Sequence, residues 1–168
     1  MTMEQMIEIA TSAALTLLMG LIAGVFLSFS DFVMKGLGAA QSAAGMEGMQ
    51  YINRKVYGSL FLVLLMGAAI MSLVVASYAY FWMTGSGTTW LIAGCASYFM
   101  GVFMVTVLAN VPMNKRLDLM APETEEGQAY WHHYLSVWTG WNHIRTLFSA
   151  LSSVCFLVGC IMRASGGL

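Results

Sequence analysis

Polar and apolar positions along this chain come in long blocks rather than in alternation. Four apolar runs stand out, at about 7–30, 57–81, 90–109 and 141–162. Each reaches or approaches the roughly 20 residues a helix needs to cross a hydrocarbon core about 30 Å thick. Inside lipid an open segment must satisfy its own backbone polar groups, which an isolated run does only as a helix. The blocks therefore predict an all-α membrane protein, a single domain over residues 1–168 folded as a bundle of four transmembrane helices. No internal repeat and no appended soluble domain is visible.

The polar segments orient the bundle. The first long connection, 31–56, holds Lys35, Arg54 and Lys55, and the second, 110–140, opens with Lys115 and Arg116. The short link 82–89 carries no charge, the N-terminal stub has no Lys or Arg, and only Arg163 follows the fourth run. By the positive-inside rule both long connections are cytoplasmic and both termini lie outside. Trp82 and Trp90 then fit the outer aromatic belt, and Trp131, Trp138 and Trp141 the inner one. The first run lacks the positive flank of a signal peptide and is expected to be a retained helix. Pro112 is expected to end helix three. Ala121-Pro122-Glu123 reads as a new helix start. An amphipathic cytoplasmic segment should run from there into helix four, bending at Gly140. Small residues at Gly20 and Gly24, at Ala93, Ser97 and Gly101, and at Ser149, Ser152 and Ser153 are expected to let helices approach closely.

Composition narrows the function. Hydrophobic residues make up 59% and charged residues 9%, against about 25% charged in soluble domains, so no water-facing surface covers the chain. A net charge of -1 offers no basic field for nucleic acid. Cys95, Cys155 and Cys160 all lie in apolar runs without metal-binding spacing and read as buried small side chains. Phosphate-loop, nucleophile-elbow and haem-attachment motifs are missing.

Polar residues within or beside a membrane span mark function by default. At about 100° per residue, Gly24, Ser28, Asp31 and Lys35 share a face of helix one. Gln50, Asn53, Arg54 and Tyr57 share a face leading into helix two, and Thr106 and Asn110 one at the end of helix three. Trp131, Tyr134, Trp138, Trp141, Asn142, Arg145 and Ser149 form a stripe on helix four. In an alternating bundle these ends lie on one side. Asp31, Asn53, Asn110, Asn142 and Arg145 should therefore converge near the cytoplasmic face as a polar, aromatic-walled pocket, with Asp31 close to Arg145 or Arg54. The alternative is that they anchor the helices at the interface. His132 and His143 would sit about 16 Å apart on a continuous helix and His133 points elsewhere, so no histidine metal site is expected.

Four stretches carry a resemblance. They are Gly24-Val25-Phe26-Leu27-Ser28-Phe29-Ser30, Met49-Gln50-Tyr51-Ile52-Asn53, Asn110-Val111-Pro112-Met113-Asn114-Lys115-Arg116-Leu117, and Trp138-Thr139-Gly140-Trp141-Asn142-His143-Ile144-Arg145-Thr146. Together they resemble the anthrone oxygenase-like family of small four-helix membrane proteins. The resemblance implies oxygenation of an anthrone- or polyketide-like aromatic substrate, with O2 as co-substrate and no organic or metal cofactor demanded. On that reading Asn142 and Arg145 hold an oxyanion, and Trp138 and Trp141 stack on the rings. Asp31 or a histidine, His143 or His133, acts as base. Asn53, Tyr57, Asn110 and Asn114 complete the binding surface. Expected partners are the bilayer, a small hydrophobic aromatic ligand and a second copy in a homo-oligomer. The competing functions are a binding or transport protein for a lipophilic molecule such as a quinone, a metal- or haem-dependent membrane redox protein, and an accessory subunit.

Overall fold

In a computed structural model, which describes residues 2–166, three of the four spans open on a cap made by a short polar side chain. Thr2 starts α1 (Met3–Ala39) with a reciprocal box. Its hydroxyl accepts from the Gln5 N–H at 3.2 Å, and the Gln5 side chain accepts from the Thr2 N–H at 2.9 Å. Such a box satisfies two donors that a helix start leaves free. After α2 (Ser42–Val56), Ser59 caps α3 (Leu60–Trp82) by accepting from Leu62. A short link leads to α4 (Gly87–Asp118). Thr124 then caps α5 (Glu125–Ala164), whose first turn carries Glu125 and Glu126. Helix five thus starts at its Thr cap rather than at Pro122.

Four of these helices, α1, α3, α4 and α5, are long and apolar enough to cross a membrane, and the described residues form no strand. The chain is a multi-pass, all-helical membrane protein. Leu17, Leu21, Val63, Ile70 and Leu147 are all more than 60% exposed, an outer surface that only lipid suits. The chain reverses direction at each short link. One end of the bundle therefore holds the start of α1, the end of α5 and the α3–α4 link, and the other, the loop end, holds the two longer connections.

Three spans exceed what a bilayer needs. α1, α4 and α5 have 37, 32 and 40 residues, about 55, 48 and 60 Å at about 1.5 Å per residue, against a core of about 30 Å. The surplus gathers at the loop end. There Met34 of α1, Met46 and Met49 of α2, Leu117 of α4, and Tyr130, Trp131, Tyr134 and Trp138 of α5 build a second core. The first core lies within the spans: Leu15, Met19, Ile22 and Phe26 against Leu65, Ala68, Ala69, Leu91, Tyr98, Val102 and Phe156.

Several expectations need correction. Pro112 does not end its helix. Two wide turns of i→i+5 type, Phe99–Met104 and Thr106–Asn110, precede it, and Pro112 sits near the start of a further α-helical stretch to Asp118, where a missing N–H costs little. Gly140 does not interrupt α5, which is continuous from Glu125 to Ala164. Gly24 has nothing near where a Cβ would stand, so the Gly20/Gly24 pair makes no tight contact. The close approaches lie elsewhere. The Phe148 ring rests on Gly101 so tightly that any Cβ there would overlap it. Ser152 and Ser153 donate to the carbonyls of Gly94 and Thr16, joining α5 to α4 and α1.

Candidate functional site

Between the two cores, where α1, α3, α4 and α5 separate and α2 closes the gap, lies a cavity of about 110 Å³, room for several waters. Its polar lining comprises Asn53, Tyr57, Thr106, Asn110, Asn114, Asn142 and Arg145, and its aromatic walls include Phe26, Phe29, Phe61 and Trp138. Asn53, Asn110, Asn142 and Arg145 are all buried, Arg145 being 5% exposed.

Local backbone choices aim these side chains. An i→i+5 turn at Phe29–Val33 widens α1, and the two in α4 do the same opposite it; such turns concentrate at functional sites. Across this widened seam Asn142 donates to the Phe26 carbonyl and to the Ser30 hydroxyl, both at 2.6 Å. With its amide nitrogen so engaged, the Asn142 oxygen faces Arg145 and accepts from Nη2 at 2.6 Å. Arg145 Nη1 reaches the Thr106 hydroxyl at 3.4 Å. The guanidinium lies 4.3 Å from the Phe26 ring centre and 5.2 Å from that of Trp138, within the range where a ring face attracts a cation.

Arg145 therefore has only neutral partners. Among the described residues it joins no salt bridge, and no carboxylate or imidazole lines the cavity. Three buried polar atoms around the cavity also have no hydrogen-bond partner: Arg145 Nε and Asn53 Nδ2, which are donors, and Asn110 Oδ1, an acceptor. Each costs about 1–3 kcal/mol while it stays unpaired. Such a set matches a molecule bearing oxygen acceptors and a hydroxyl.

The second core holds Trp138 in place. Trp131, Tyr134 and Trp138 stack in succession with ring centres 5.7 and 5.6 Å apart. Tyr134 and Trp138 both donate to Asn114 Oδ1 at 2.7 Å, and Asn110 donates to the Trp138 carbonyl. Gln50 donates to the carbonyls of Leu117 and Met120, closing the end of α4.

Of the residues singled out from sequence, Asn53, Tyr57, Asn110, Asn114, Trp138, Asn142 and Arg145 meet at this cavity, and Asp31, Trp141 and His143 do not. Asp31 pairs with Lys35 at 3.3 Å on an exposed face, and Arg54 pairs with Asp118 at 2.7 Å. The expected link from Asp31 to Arg145 or Arg54 is thus corrected. Trp141 is 39% exposed, and all three histidines are exposed. No three His, Cys, Asp or Glu side chains among the described residues group as metal ligands do. Phe26, Phe61 and Ser30 were missed. Phe26 and Ser30 lie with Met19 and Ile22 on the buried face of α1, a spacing of three and four residues that an apolar helix hides.

Fold and site together define a four-span membrane protein whose helices enclose a cationic, aromatic-walled pocket at one end. The anthrone oxygenase family model matches residues 54–155, which include Tyr57, Asn110, Trp138, Asn142 and Arg145, and the chain belongs to that family. Comparison with curated proteins gave no match, and none was found among solved structures.

Proposed function

We propose that the protein is a membrane oxygenase of hydrophobic aromatic carbon acids, compounds of the anthrone kind, working in the loop-end cavity with O2 as co-substrate. The observation that carries this reading is Arg145: a buried cation without a counter-ion, with a free Nε–H, set between aromatic faces. A guanidinium in a water-poor pocket favours whichever form of a ligand is anionic. In an anthrone the methylene between two rings loses a proton to give an anion delocalised onto the ring oxygen. Arg145 and Asn53 donate to that oxygen, Asn110 accepts from a ring hydroxyl, and Trp138 and Phe26 bound the rings.

The electron-rich carbon then adds O2, forming a C–O bond and a peroxide. Loss of the second methylene proton breaks the O–O bond. One oxygen remains as the new carbonyl and the other leaves as water, so anthrone plus O2 gives anthraquinone plus water. The reaction demands no organic or metal cofactor. With neither carboxylate nor imidazole on the cavity wall, the first proton passes to water at the mouth. Tyr57, 59% exposed, and Val25, 36% exposed, both line the cavity and mark that mouth between α1 and the α2–α3 link, open to molecules dissolved in the bilayer. The bilayer and a lipophilic aromatic ligand are thus the partners this reading requires, with a homo-oligomer compatible with it. The positive-inside rule places the site near the cytoplasmic face, with both termini outside.

O2 consumption by the purified protein in lipid nanodiscs, with an anthrone supplied and anthraquinone measured, tests the reading. One quinone per O2 above the uncatalysed rate is expected. Tight binding of anthrone or quinone without O2 uptake would replace the oxygenase with a carrier of lipophilic aromatics, which the same donors would also hold. Labelling of a Thr89→Cys variant, at an exposed position beside the α3–α4 link and with the three native cysteines removed, only from the cytoplasm would reverse the orientation.

A further inference from the structure

The opposite end of the bundle holds a larger cavity, about 600 Å³, between the start of α1 and the end of α3. That size falls within the range of ligand pockets. Its apolar wall includes Ile7, Met71 and Val74, which are 60%, 40% and 55% exposed, so it opens sideways into the bilayer. Its polar edge is a chain of contacts. Arg163 is bonded through Nε and Nη2 to Glu8. The Tyr78 hydroxyl lies 2.8 Å from Glu4 and 3.5 Å from Glu8. Arg163 neutralises Glu8, whereas Glu4 is exposed and pairs with no Lys or Arg among the described residues. The edge carries Glu4, Glu8 and Arg163, a formal charge of one negative.

We propose that this cavity is a lipid site selective for an ammonium headgroup, of the phosphatidylethanolamine kind, with the chain in the groove and the amine on Glu4. The apolar wall takes the acyl chain as the bilayer would. The Glu4 carboxylate, exposed near the start of α1, accepts charge-assisted hydrogen bonds from a primary ammonium. A quaternary choline has no N–H to give, and an anionic phosphoglycerol is repelled. The site is separate from the loop-end cavity and shares no residue with it.

Native mass spectrometry of the full chain tests this. The protein is released from nanodiscs holding equal amounts of phosphatidylethanolamine, phosphatidylcholine and phosphatidylglycerol with identical chains. The wild type should retain phosphatidylethanolamine at least about threefold over phosphatidylcholine. Glu4→Gln, at an exposed position, should bring that ratio to about one. Val75→Trp, which fills the groove, should remove the bound lipid altogether. Equal retention of the lipids, a preference for phosphatidylglycerol, a preference that survives Glu4→Gln, or no retained lipid in the wild type would each overturn the proposal.

Discussion

Two arginines on α5 show what this fold does with a charge inside a membrane protein. Arg163 and Arg145 lie 18 residues apart (163 − 145), about 27 Å along the helix. Arg163 is met by Glu8, whose side chain is 7% exposed, and donates as well to the Thr84 carbonyl at 2.7 Å. It ties α5 to α1 and to the α3–α4 link, and the pair neutralises itself. Arg145 is more deeply buried, yet its partners are an amide, a hydroxyl and two aromatic faces. Burying a charge without a counter-ion is costly. A bundle that only needed a staple had the Glu8 solution at hand. The difference teaches that charge alone does not locate the site: the compensated arginine holds the fold, and on the proposed function the uncompensated one receives an anion.

The largest effect should come from exchanging the guanidinium while keeping its charge. Arg145→Lys retains the cation but loses the planar fork that spans Asn142, Thr106 and the cavity. Removing one preorganised donor costs about 100–1,000-fold in turnover, so anthrone-dependent O2 uptake should fall by about 100-fold while the protein still inserts and folds. The neighbouring Ile144→Leu, outside the cavity lining, should leave it within about twofold. Arg163→Lys should show the reverse profile, with near-normal turnover and lower thermal stability. Equal losses of turnover at both arginines would erase the contrast between them.

Stability should separate the two ends next. Arg163→Met leaves Glu8 buried with its counter-ion gone. Breaking a buried pair costs about 3–5 kcal/mol, and partial exposure of Arg163 reduces this to about 2 kcal/mol. Adding Glu8→Gln should restore part of the loss, because the stranded charge is then removed as well. Thermal unfolding of the single and double variants in the same lipid measures both steps. No recovery in the double variant would mean that Arg163 acts through packing rather than charge.

A smaller loss should follow from Asn114→Ala. One oxygen accepts from both Tyr134 and Trp138, so its removal leaves two donors unpaired. With some exposure at Asn114 to let water in, a cost of about 1–2 kcal/mol is expected. A shift in tryptophan emission and a several-fold weaker affinity for the aromatic ligand should accompany it, since Trp138 is a cavity wall. Unchanged emission would show that the stack with Trp131 suffices to hold the ring.

The four spans were legible because hydropathy over about 20 residues is a strong signal that lipid enforces. The α5 stripe was legible because its polar and aromatic residues recur at helical spacing on one face: Trp131, Tyr134, Trp138, Asn142, Arg145 and Ser149 are all buried. Helix one misled for the converse reason. Its inner face is Met19, Ile22, Phe26, Ser30 and Met34, while Gly24, Asp31 and Lys35 face outward. On that exposed face the polar residues pair with one another, so polarity stops reporting the inside of the bundle. The wide turn at Phe29–Val33 also shifts every later side chain off a 3.6-residue extrapolation. The α2 helix was hidden in a connection rich in Gly and Met, too short and polar to read as a span. Its role appears only in three dimensions, as Gln50 closes α4 and Asn53 reaches the cavity.

The smallest expected effects test the part of the reading that changed most. Asp31 and His143 are the ionisable side chains that chemistry asks for first, since a carbon acid calls for a base. Both are exposed, and neither lines the cavity. The Asp31–Lys35 pair is an i,i+4 contact between side chains 65% and 73% exposed, worth at most about 0.5 kcal/mol. Asp31→Asn and His143→Ala should therefore leave stability within about 0.5 kcal/mol and turnover within about twofold. The pH profile is the sharper readout. If the proton leaves to water and Arg145 holds the anion, turnover should rise with pH along the ionisation of the substrate, and a more acidic anthrone should move the rise to lower pH. Neither variant should shift that curve. If His143→Ala instead lowered turnover by about 100-fold, that histidine would have to reach the cavity during turnover. Arg145 would then keep the oxyanion but lose its place as the group that sets the acidity of the bound substrate.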